Sequence, residues 1–147
     1  MKWNLKRFED LSLGELYDIL KLRSEIFVVE QNCPYQDLDG KDKVSYHLFL
    51  EDNGVVIAAL RIIPENISYK EMSIGRVVVK KSYRCKGISK DMMGKAIGFI
   101  TENLKKDGIR LSGQAYLVDF YEALGFKKVS DVYLEDGIEH FEFLYEV

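Results

Sequence analysis

Apolar residues recur along the chain at spacings that predict three helices. A capping box at Ser12 and Glu15 opens the first helix, whose three- and four-residue apolar spacing continues to about Glu30. A stripe with four-residue apolar steps predicts a second helix over 88–106, with one face against a core. A third, shorter helix is predicted over 117–124, ahead of a glycine that ends it.

Shorter apolar runs between these helices predict strands. Two runs flank Asn53-Gly54 and two alternating segments flank Asp136-Gly137, and both dipeptides predict hairpins because their residues accept positive φ. The other predicted strand segments are 46–51, 55–63, 72–79 and 109–115. The order helix, strands, helix, strand, helix, strands predicts an α/β fold with a mixed central β-sheet flanked by helices.

Length and composition predict a single domain over residues 1–147. The chain is 47% apolar, and no apolar run approaches the ~20 residues of a membrane span. The N-terminus lacks the apolar stretch of a secretory signal, so we expect a cytoplasmic protein without a membrane partner. Cys33 and Cys85 lack the paired spacing of a zinc site, so we expect reduced thiols and no metal. The acidic segment 37–42 lacks the ligand spacing of an EF-hand and predicts a turn.

The distribution of charge predicts a small anionic ligand. A net charge of −3 argues against a nucleic-acid partner, since phosphate contacts supply most non-specific affinity for nucleic acids. Five cations nevertheless fall within residues 80–90, which we call the basic loop: Lys80, Lys81, Arg84, Lys86 and Lys90. Positive charge concentrated on an acidic protein favours one small anion over a polymer. Monomer and homodimer are both compatible with this composition.

The basic loop lies where a valine-rich strand leads into the second helix. A helix N-terminus offers unpaired N–H groups and the positive end of the helix dipole. Gly87 allows backbone to approach a ligand closely, and Ser89 adds a hydroxyl donor, so a phosphate or pyrophosphate is the expected ligand. The Walker and dinucleotide-binding glycine motifs are both absent. The alternative is an ordinary helix start with a solvated basic flank.

Three stretches of the chain resemble one superfamily. Arg84-Cys85-Lys86-Gly87-Ile88-Ser89 resembles the acetyl-CoA loop of the GNAT N-acetyltransferases, with Ser89 in the last small position. Phe120-Tyr121-Glu122-Ala123-Leu124-Gly125-Phe126 is similar to a second motif of that superfamily. The stretch LRSEIFVVEQNCPYQDLDGKD and the tail VSDVYLEDGIEHFEF look like its ElaA branch. The resemblance covers nearly the whole chain and implies the GNAT-like acyl-CoA N-acyltransferase fold.

The resemblance also implies a cosubstrate and the residues that bind it. Acetyl-CoA is expected to lay its pantetheine arm along the strand at Val77, as an added strand would lie, and its pyrophosphate in the basic loop. Gln114 stands where the superfamily usually has Asn. The implied binding residues are Val77, Val78, Val79, Arg84, Cys85, Lys86, Gly87, Ile88, Ser89, Lys90, Gln114 and Tyr121.

The implied reaction is the direct transfer of an acetyl group to an amine. Tyr121 is the expected acid for the leaving thiolate, and the nearby basic loop and helix start predict some lowering of its pKa. A protonated amine needs a base, for which Glu30 and His47 are the candidates. A cap or an ion pair, for instance with Arg23, is the structural alternative for Glu30, and a structural hydrogen bond is that for His47. Arg76 either pairs internally or faces the acceptor.

Two other functions fit the same residues. One is a CoA-binding sensor or partner-binding module without turnover, for which Tyr121 has no necessary role. The other is a phosphate-binding regulatory protein, which would bind phosphates without recognising a pantetheine arm. The residues do not identify the amine acceptor, whether small molecule or protein.

Overall fold

The computed structural model describes residues 1–147 and contains two antiparallel β-sheets with helices against them. The strands are β1 (Lys2–Arg7), β2 (Tyr46–Asp52), β3 (Val55–Ile63), β4 (Ser73–Val79), β5 (Gly108–Gln114), β6 (Lys127–Lys128), β7 (Tyr133–Glu135) and β8 (Ile138–Glu146). The first sheet has the strand order β1-β2-β3-β4, and the second has the order β5-β8-β6, with β7 also paired to β8. The helices are α1 (Leu13–Arg23), α2 (Ile88–Gly98) and α3 (Val118–Ala123).

The two sheets meet at one parallel contact, which makes the whole a mixed sheet as predicted. Met72, next to β4, forms an isolated parallel bridge with Ile109 of β5, and the Arg110 N–H donates to the Met72 carbonyl over 2.8 Å. No further ladder joins β4 to β5. The strands therefore separate beyond this bridge, and the gap between them forms the wall of a cleft.

Helices cover both faces of the first sheet. Helix α1 packs on one face through Ile19 and Leu22, together with Ile26 in the segment Ser24–Glu30 that follows it. Helix α2 packs on the other face through a larger apolar cluster. Strand β3 lies between the two layers, and every residue from Val56 to Ile63 is buried. This position explains why its sequence is a continuous apolar run, and it makes the single charge in that run, Arg61, unusual.

Both long helices finish with a stretch of π-helical geometry. Helix α1 continues through Ser24–Glu30, which matches the predicted end. Helix α2 continues only through Phe99–Asn103 and ends short of the predicted boundary, because Lys105 adopts a left-handed φ of 55°. None of the helices combines the length and the apolar character that a membrane crossing requires.

The hairpins were predicted correctly, but the first strand was not predicted. Asn53-Gly54 and Asp136-Gly137 turn with positive φ at all four residues, as the sequence indicates. Strand β1 is absent from the sequence-based prediction because its apolar alternation is limited to two residues, neither of which is buried. Its only buried residue is Asn4, whose amide nitrogen donates to a Glu51 carboxylate oxygen over 3.2 Å.

Candidate active site

A cleft of about 920 Å³ opens where β4 and β5 separate, within the size range of small-molecule and cofactor sites. The cleft runs from the basic loop and the end of α1, past β4, β5 and α3, to the turn between β7 and β8. It also extends under the segment 31–41 to Arg61 on β3. The cleft thus has two regions: a loop end beside residues 80–90, and an opposite end beside segment 31–41 and the last hairpin.

A β-bulge in β4 forms the centre of the cleft wall. Ala59 pairs with Val78 and Arg61 pairs with Gly75, so Arg76 and Val77 together oppose the single residue between them on β3. Arg76 adopts a left-handed φ of 50°, which is strained for a residue with a side chain. A bulge leaves backbone polar groups outside the strand ladder, where they are available to a ligand.

Ion pairs hold the bulge in its strained conformation. Arg76 Nε lies 2.7 Å from Asp37 Oδ1, and its Nη2 donates to the Asp37 carbonyl over 3.0 Å. The Arg76 guanidinium also lies 5.9 Å from the centre of the Tyr35 ring. Arg76 thus pairs internally, which was one of its two alternatives, and it also lines the cleft.

Three arginines and three aspartates form an ion-paired network, which we call the arginine cluster. Arg23, Arg61, Asp37 and Asp42 are buried, and Arg76 and Asp39 are partly exposed. Arg23 bonds Asp37 over 2.9 Å and Asp42 over 2.7 Å. Arg61 bonds Asp39 with two parallel contacts of 2.8 and 2.7 Å and reaches Asp42 over 3.1 Å. The Arg61 hydrogen bonds hold the pKa of Asp39 well below its usual range. The segment 37–42, which the sequence predicts as a plain turn, therefore closes one end of the cleft.

His47 belongs to this network and does not line the cleft. It is 1% exposed, and its Nε2 donates to the Asp42 carbonyl over 2.9 Å. Burial lowers the pKa of His47, so the ring is neutral at pH 7. The structure thus gives this candidate base a structural contact, because the ring fixes the chain at Asp42 and has no route to a ligand in the cleft.

Glu30 lies at the loop end of the cleft as an ion-pair partner. Its Oε2 is 2.7 Å from Nη2 of Arg84, whose Nε donates to the Val79 carbonyl over 2.9 Å. The sequence suggested Arg23 as the partner of Glu30, but Arg23 is taken by Asp37 and Asp42. Glu30 therefore fixes the orientation of Arg84 within the basic loop.

The start of α2 has the geometry of an anion site. Gly87 precedes the helix with a left-handed φ of 79°, and a Cβ at this position would meet nothing within 4 Å. No side chain caps the first turn of the helix, so its N–H groups are left for a ligand. Lys81, Lys86 and Lys90 form no ion pairs within the chain, whereas Lys80 lies 3.6 Å from Glu25.

The cleft brings together eight of the twelve expected cosubstrate-binding residues. Those lining it are Val77, Val78, Val79, Arg84, Cys85, Ser89, Gln114 and Tyr121. Lys86, Gly87 and Lys90 are exposed beside it. The Ile88 side chain turns into the core under α2, which leaves only its backbone N–H for a ligand.

Tyr121 contributes a buried hydroxyl to the cleft wall. Its ring packs against Phe120, Phe126 and Phe143, and it lies so close to Gly113 that a Cβ there would be 2.5 Å from Tyr121 Cε2. The hydroxyl has no hydrogen-bond partner within the chain and keeps access to the cleft. Burial raises the pKa of Tyr121 to about 12, so the expected lowering of this pKa was wrong. The basic loop does not outweigh the apolar surroundings of the ring.

His140 is a cleft residue that the sequence-based reasoning missed. It lies on β8 opposite Gln114, is 6% exposed and lines the cleft. Its Nδ1 lies 2.7 Å from the Ile138 carbonyl, and its Nε2 lies 3.4 Å from Glu135 Oε2. A signal was available: Asp136-Gly137 predicts the hairpin, and a histidine three residues after the turn is close to the loop end of its strand.

Comparison with known proteins identifies the family. A family model described as an acetyltransferase (GNAT) domain matches residues 21–147. The chain belongs to the GNAT acetyltransferase family. It is 36% identical to the protein ElaA of Escherichia coli over 149 residues, which cover 100% of this chain and 97% of ElaA. It is 38% identical to a UPF0039 protein of Synechocystis, over 100% of this chain and 96% of that one.

Solved structures of GNAT relatives superpose along the whole chain. An acyl-CoA N-acyltransferase from Pseudomonas aeruginosa matches with a TM-score of 0.93 at 38% identity, covering 98% of both chains. The crystal structure of Escherichia coli ElaA matches with a TM-score of 0.92 at 35% identity, covering 99% of both chains. The acyl-CoA N-acyltransferase fold and the similarity to ElaA are therefore confirmed.

Proposed function

We propose that this protein is an acetyl-CoA-dependent N-acetyltransferase that moves an acetyl group to an amine by direct attack. The proposal rests on the cleft between β4 and β5. One end of this cleft holds the uncapped start of α2 and lysines without ion-pair partners, and the cleft wall holds the unpaired hydroxyl of Tyr121. Membership of the GNAT family supports an acyl-CoA donor. Because the family model covers most of the chain, we also propose a single catalytic domain over residues 1–147.

The loop end of the cleft suits the anionic part of acetyl-CoA. The N–H groups after Gly87 and the free cations Lys86 and Lys90 would bind the pyrophosphate. Arg84, oriented by Glu30, keeps its Nη1 donor available. The free edge of β4 at Val77, Val78 and Val79 would bind the pantetheine amides as an added strand. Gln114 on the facing strand would contact the same arm.

The central bulge suits stabilisation of the oxyanion. Backbone N–H groups that lie outside a ladder act as preorganised donors where negative charge develops on the carbonyl oxygen. The bulge at Arg76 and Val77 supplies such groups at the middle of the cleft. The ion pair of Arg76 with Asp37 keeps them fixed, so little reorganisation is needed during the reaction.

Tyr121 would stabilise the leaving sulfur as a neutral hydrogen-bond donor. Its pKa is about 12. A thiol ordinarily titrates near ~8.5, so full proton transfer from the tyrosine to the thiolate is uphill by roughly 3.5 pKa units, near 5 kcal/mol. A hydrogen bond from the hydroxyl carries no such cost. We therefore expect no alkaline limb from Tyr121 in the activity profile below about pH 11.

A substrate panel tests the proposed function. The purified chain, mixed with acetyl-CoA and primary amines such as putrescine and Nα-acetyl-lysine amide, should release free thiol and yield an acetylated amine detectable by mass spectrometry. Tyr121→Phe should keep acetyl-CoA affinity within a few-fold and lower kcat by about 10²-fold. Tyr17→Phe is the matched control, since Tyr17 lies on α1, is 70% exposed and should lose its hydroxyl without any change in kcat.

The same panel separates the alternatives. Acetyl-CoA binding without any product, in the wild type and in the Tyr121→Phe variant alike, would favour a CoA-binding sensor or partner-binding module. Affinity for inorganic phosphate without preference for CoA would favour a phosphate-binding regulatory protein. The free thiols of Cys33 and Cys85 suit a reducing compartment and support the cytoplasmic location that we propose.

A further inference from the structure

The face of β5 that a side chain occupies decides from which side it reaches the cleft. Side chains alternate along a strand, and directly paired residues of neighbouring strands share a face. Gly113 faces the core, where Tyr121 packs against it. Gln114 faces the other way, and its partner on β8 is His140. Tyr121 and His140 therefore border the same cleft from opposite faces of the second sheet.

The hydrogen bond of the His140 ring fixes its tautomer. A carbonyl oxygen only accepts, so the 2.7 Å contact with the Ile138 carbonyl requires a proton on Nδ1. In the neutral ring the lone pair then lies on Nε2. That atom has no hydrogen-bond partner in the chain, and it is not sealed from solvent. A neutral histidine with a fixed tautomer and a free Nε2 in a ligand cleft is arranged to accept a proton.

A carboxylate beside Nε2 offers a route for the proton to leave. Glu135 Oε2 lies 3.4 Å from His140 Nε2, and the Glu135 side chain is 50% exposed. Its other oxygen, Oε1, accepts from Ser112 Oγ over 3.2 Å, and Ser112 Oγ also contacts the Tyr133 hydroxyl over 2.5 Å. The Tyr133 ring stacks on the imidazole at 6.2 Å between ring centroids. The imidazole of His140 is thus held at Nδ1 by the Ile138 carbonyl, and at Nε2 it reaches solvent past the Glu135 carboxylate.

We propose that His140 is the general base of the transfer, with Glu135 as its positioning partner; this rests on the function proposed above. The acceptor arrives as an ammonium ion, and His140 Nε2 takes one of its protons. The free nitrogen lone pair forms the N–C bond with the thioester carbonyl, and the C–S bond breaks with its electron pair going to sulfur. The second proton passes from nitrogen to the thiolate, and the proton on His140 leaves past Glu135 to solvent.

With this base, the two faces of the second sheet have different roles in the reaction. The amine and its base act from the face of His140, and the sulfur leaves toward the face of Tyr121. The carboxylates of Glu135 and Asp136 at the mouth on the His140 side favour a cationic acceptor, because Asp136 has no ion-pair partner and both line the cleft. The acceptor class is therefore an amine that is protonated at neutral pH, such as an alkylamine or a lysine side chain.

Six titratable side chains lie around the ring of His140. Those on the elements beside it that line the cleft or contact the ring are Tyr133, Glu135, Asp136, Tyr116, Cys33 and Tyr35. At pH 5 to 8 only the two carboxylates among them are ordinarily charged, and both are negative. Both would attract a cationic acceptor toward the ring.

The pH dependence of His140→Gln tests the base. Thiol release from acetyl-CoA is followed from pH 5.5 to 9 with putrescine and with water alone as nucleophile. In the wild type kcat/KM should fall toward acid pH, because a protonated base cannot take a proton from the ammonium ion. His140→Gln should lose this limb and about 10²-fold or more in kcat at pH 7, with acetyl-CoA affinity unchanged. Glu135→Gln should keep the limb and lower kcat by a smaller factor than His140→Gln does, because the ring keeps its Nδ1 bond to the Ile138 carbonyl.

The chain contains one other histidine, which provides the matched control. His47→Gln replaces a buried ring that does not line the cleft, and Gln Nε2 can still donate to the Asp42 carbonyl. This variant should keep the acid limb. An intact limb in His140→Gln with an active wild type would overturn the base but leave the proposed function standing. No thiol release by the wild type with either nucleophile would overturn both. Should His140→Gln fail to fold, His140→Asn takes its place, and an intact limb in that variant would overturn the proposal.

Discussion

The two ends of the cleft are built by different means. At the loop end, residues 80–90 form the site by local geometry: a left-handed Gly87, an uncapped helix start and lysines that lack partners. At the opposite end, the arginine cluster joins α1, the segment 37–42, β3 and β4 through ion pairs between mostly buried side chains. The loop end keeps Lys81, Lys86 and Lys90 free for a ligand, whereas the opposite end uses its charges to hold the chain.

The two ends of the cleft should therefore have different roles: the basic loop binds the ligand, and the arginine cluster stabilises the fold. Buried charges that lose a partner cost far more than exposed ones, because the remaining charge stays desolvated. Changes in the arginine cluster should therefore affect folding first. Changes in the basic loop should affect ligand affinity and leave folding almost unaltered. The following predictions test that separation.

Asp42→Ala should produce the largest effect on stability. Asp42 is 6% exposed and pairs with both Arg23 and Arg61, so its removal leaves two buried guanidinium groups short of a partner. Breaking a buried pair in this way typically costs about 3–5 kcal/mol, roughly a third or more of the stability of many domains. Urea unfolding measures the loss.

The matched control is Asp10→Ala. Asp10 pairs with Arg7 on the surface, where the two side chains are 54% and 60% exposed. An exposed pair contributes about 0–1 kcal/mol, so this variant should unfold near the wild-type midpoint. Equal midpoints for Asp42→Ala and Asp10→Ala would show that the cluster carries no special share of the stability.

Acid should remove the stability that the arginine cluster contributes. The Arg61 hydrogen bonds hold the pKa of Asp39 below its ordinary 3.8. Burial alone would raise the pKa of Asp42, but the hydrogen bonds and charges of Arg23 and Arg61 outweigh burial and lower it. Folded-state pKa values below the unfolded ones stabilise the protein at a pH above the unfolded value. The free energy of unfolding should therefore fall as the pH drops below about 4.

Asp39→Asn provides the comparison for the acid prediction. The amide cannot ionise, so this variant should start with a lower stability at pH 7 and lose less of it between about pH 5 and pH 3. The measurement is the urea midpoint at each pH for the two proteins. Parallel curves would mean that other carboxyl groups cause the acid loss.

The contrast between the two ends also explains what the sequence could predict. The helix start after Gly87 and the turns at Asn53-Gly54 and Asp136-Gly137 depend on residues close together in the chain, so they were predicted correctly. The arginine cluster joins residues up to 39 positions apart, and no local pattern links Asp37 to Arg76. The segment 37–42 consequently looked like a plain turn. Strand β1 escaped prediction because Asn4, its buried residue, is polar.

The sequence also could not distinguish the two histidines as candidate bases. His47 and His140 are both buried histidines on strands, and only the register of those strands tells them apart. His47 faces the Asp42 carbonyl, whereas His140 lies beside Gln114 at the cleft. Tyr121 was located by its motif, but the pKa of its hydroxyl depends on the apolar rings around it, and the motif does not specify all of them.

Gly87→Val should lower acetyl-CoA affinity at least tenfold, about 1.4 kcal/mol. The branched side chain would occupy the space where a phosphate approaches the backbone, and the left-handed φ costs a further ~1–2 kcal/mol of stability. Gly54→Val is the matched control, since Gly54 has a φ of 78°, and a Cβ there also meets nothing within 4 Å. Both variants should lose similar stability in urea, but calorimetry should find reduced affinity only in Gly87→Val. A similar affinity loss in both would mean that the strain, and not the ligand site, is responsible.

Lys86→Ala should have the smallest effect on acetyl-CoA affinity, and the measurement is how that affinity depends on salt concentration. Lys86 is exposed, forms no ion pair and lies 5.4 Å from the centre of the Tyr83 ring, so its charge is available to a ligand phosphate. Exposed charges are screened over ~8–10 Å at physiological ionic strength, so wild-type affinity for acetyl-CoA should weaken as salt rises. Lys86→Ala should bind a few-fold more weakly at low salt and should respond less to added salt. Lys21→Ala, an exposed lysine on α1, should follow the wild-type salt response. If all three proteins gave the same slope of affinity against salt, the lysines of the basic loop would be a solvated surface, and the helix start would bind the phosphates by its backbone alone.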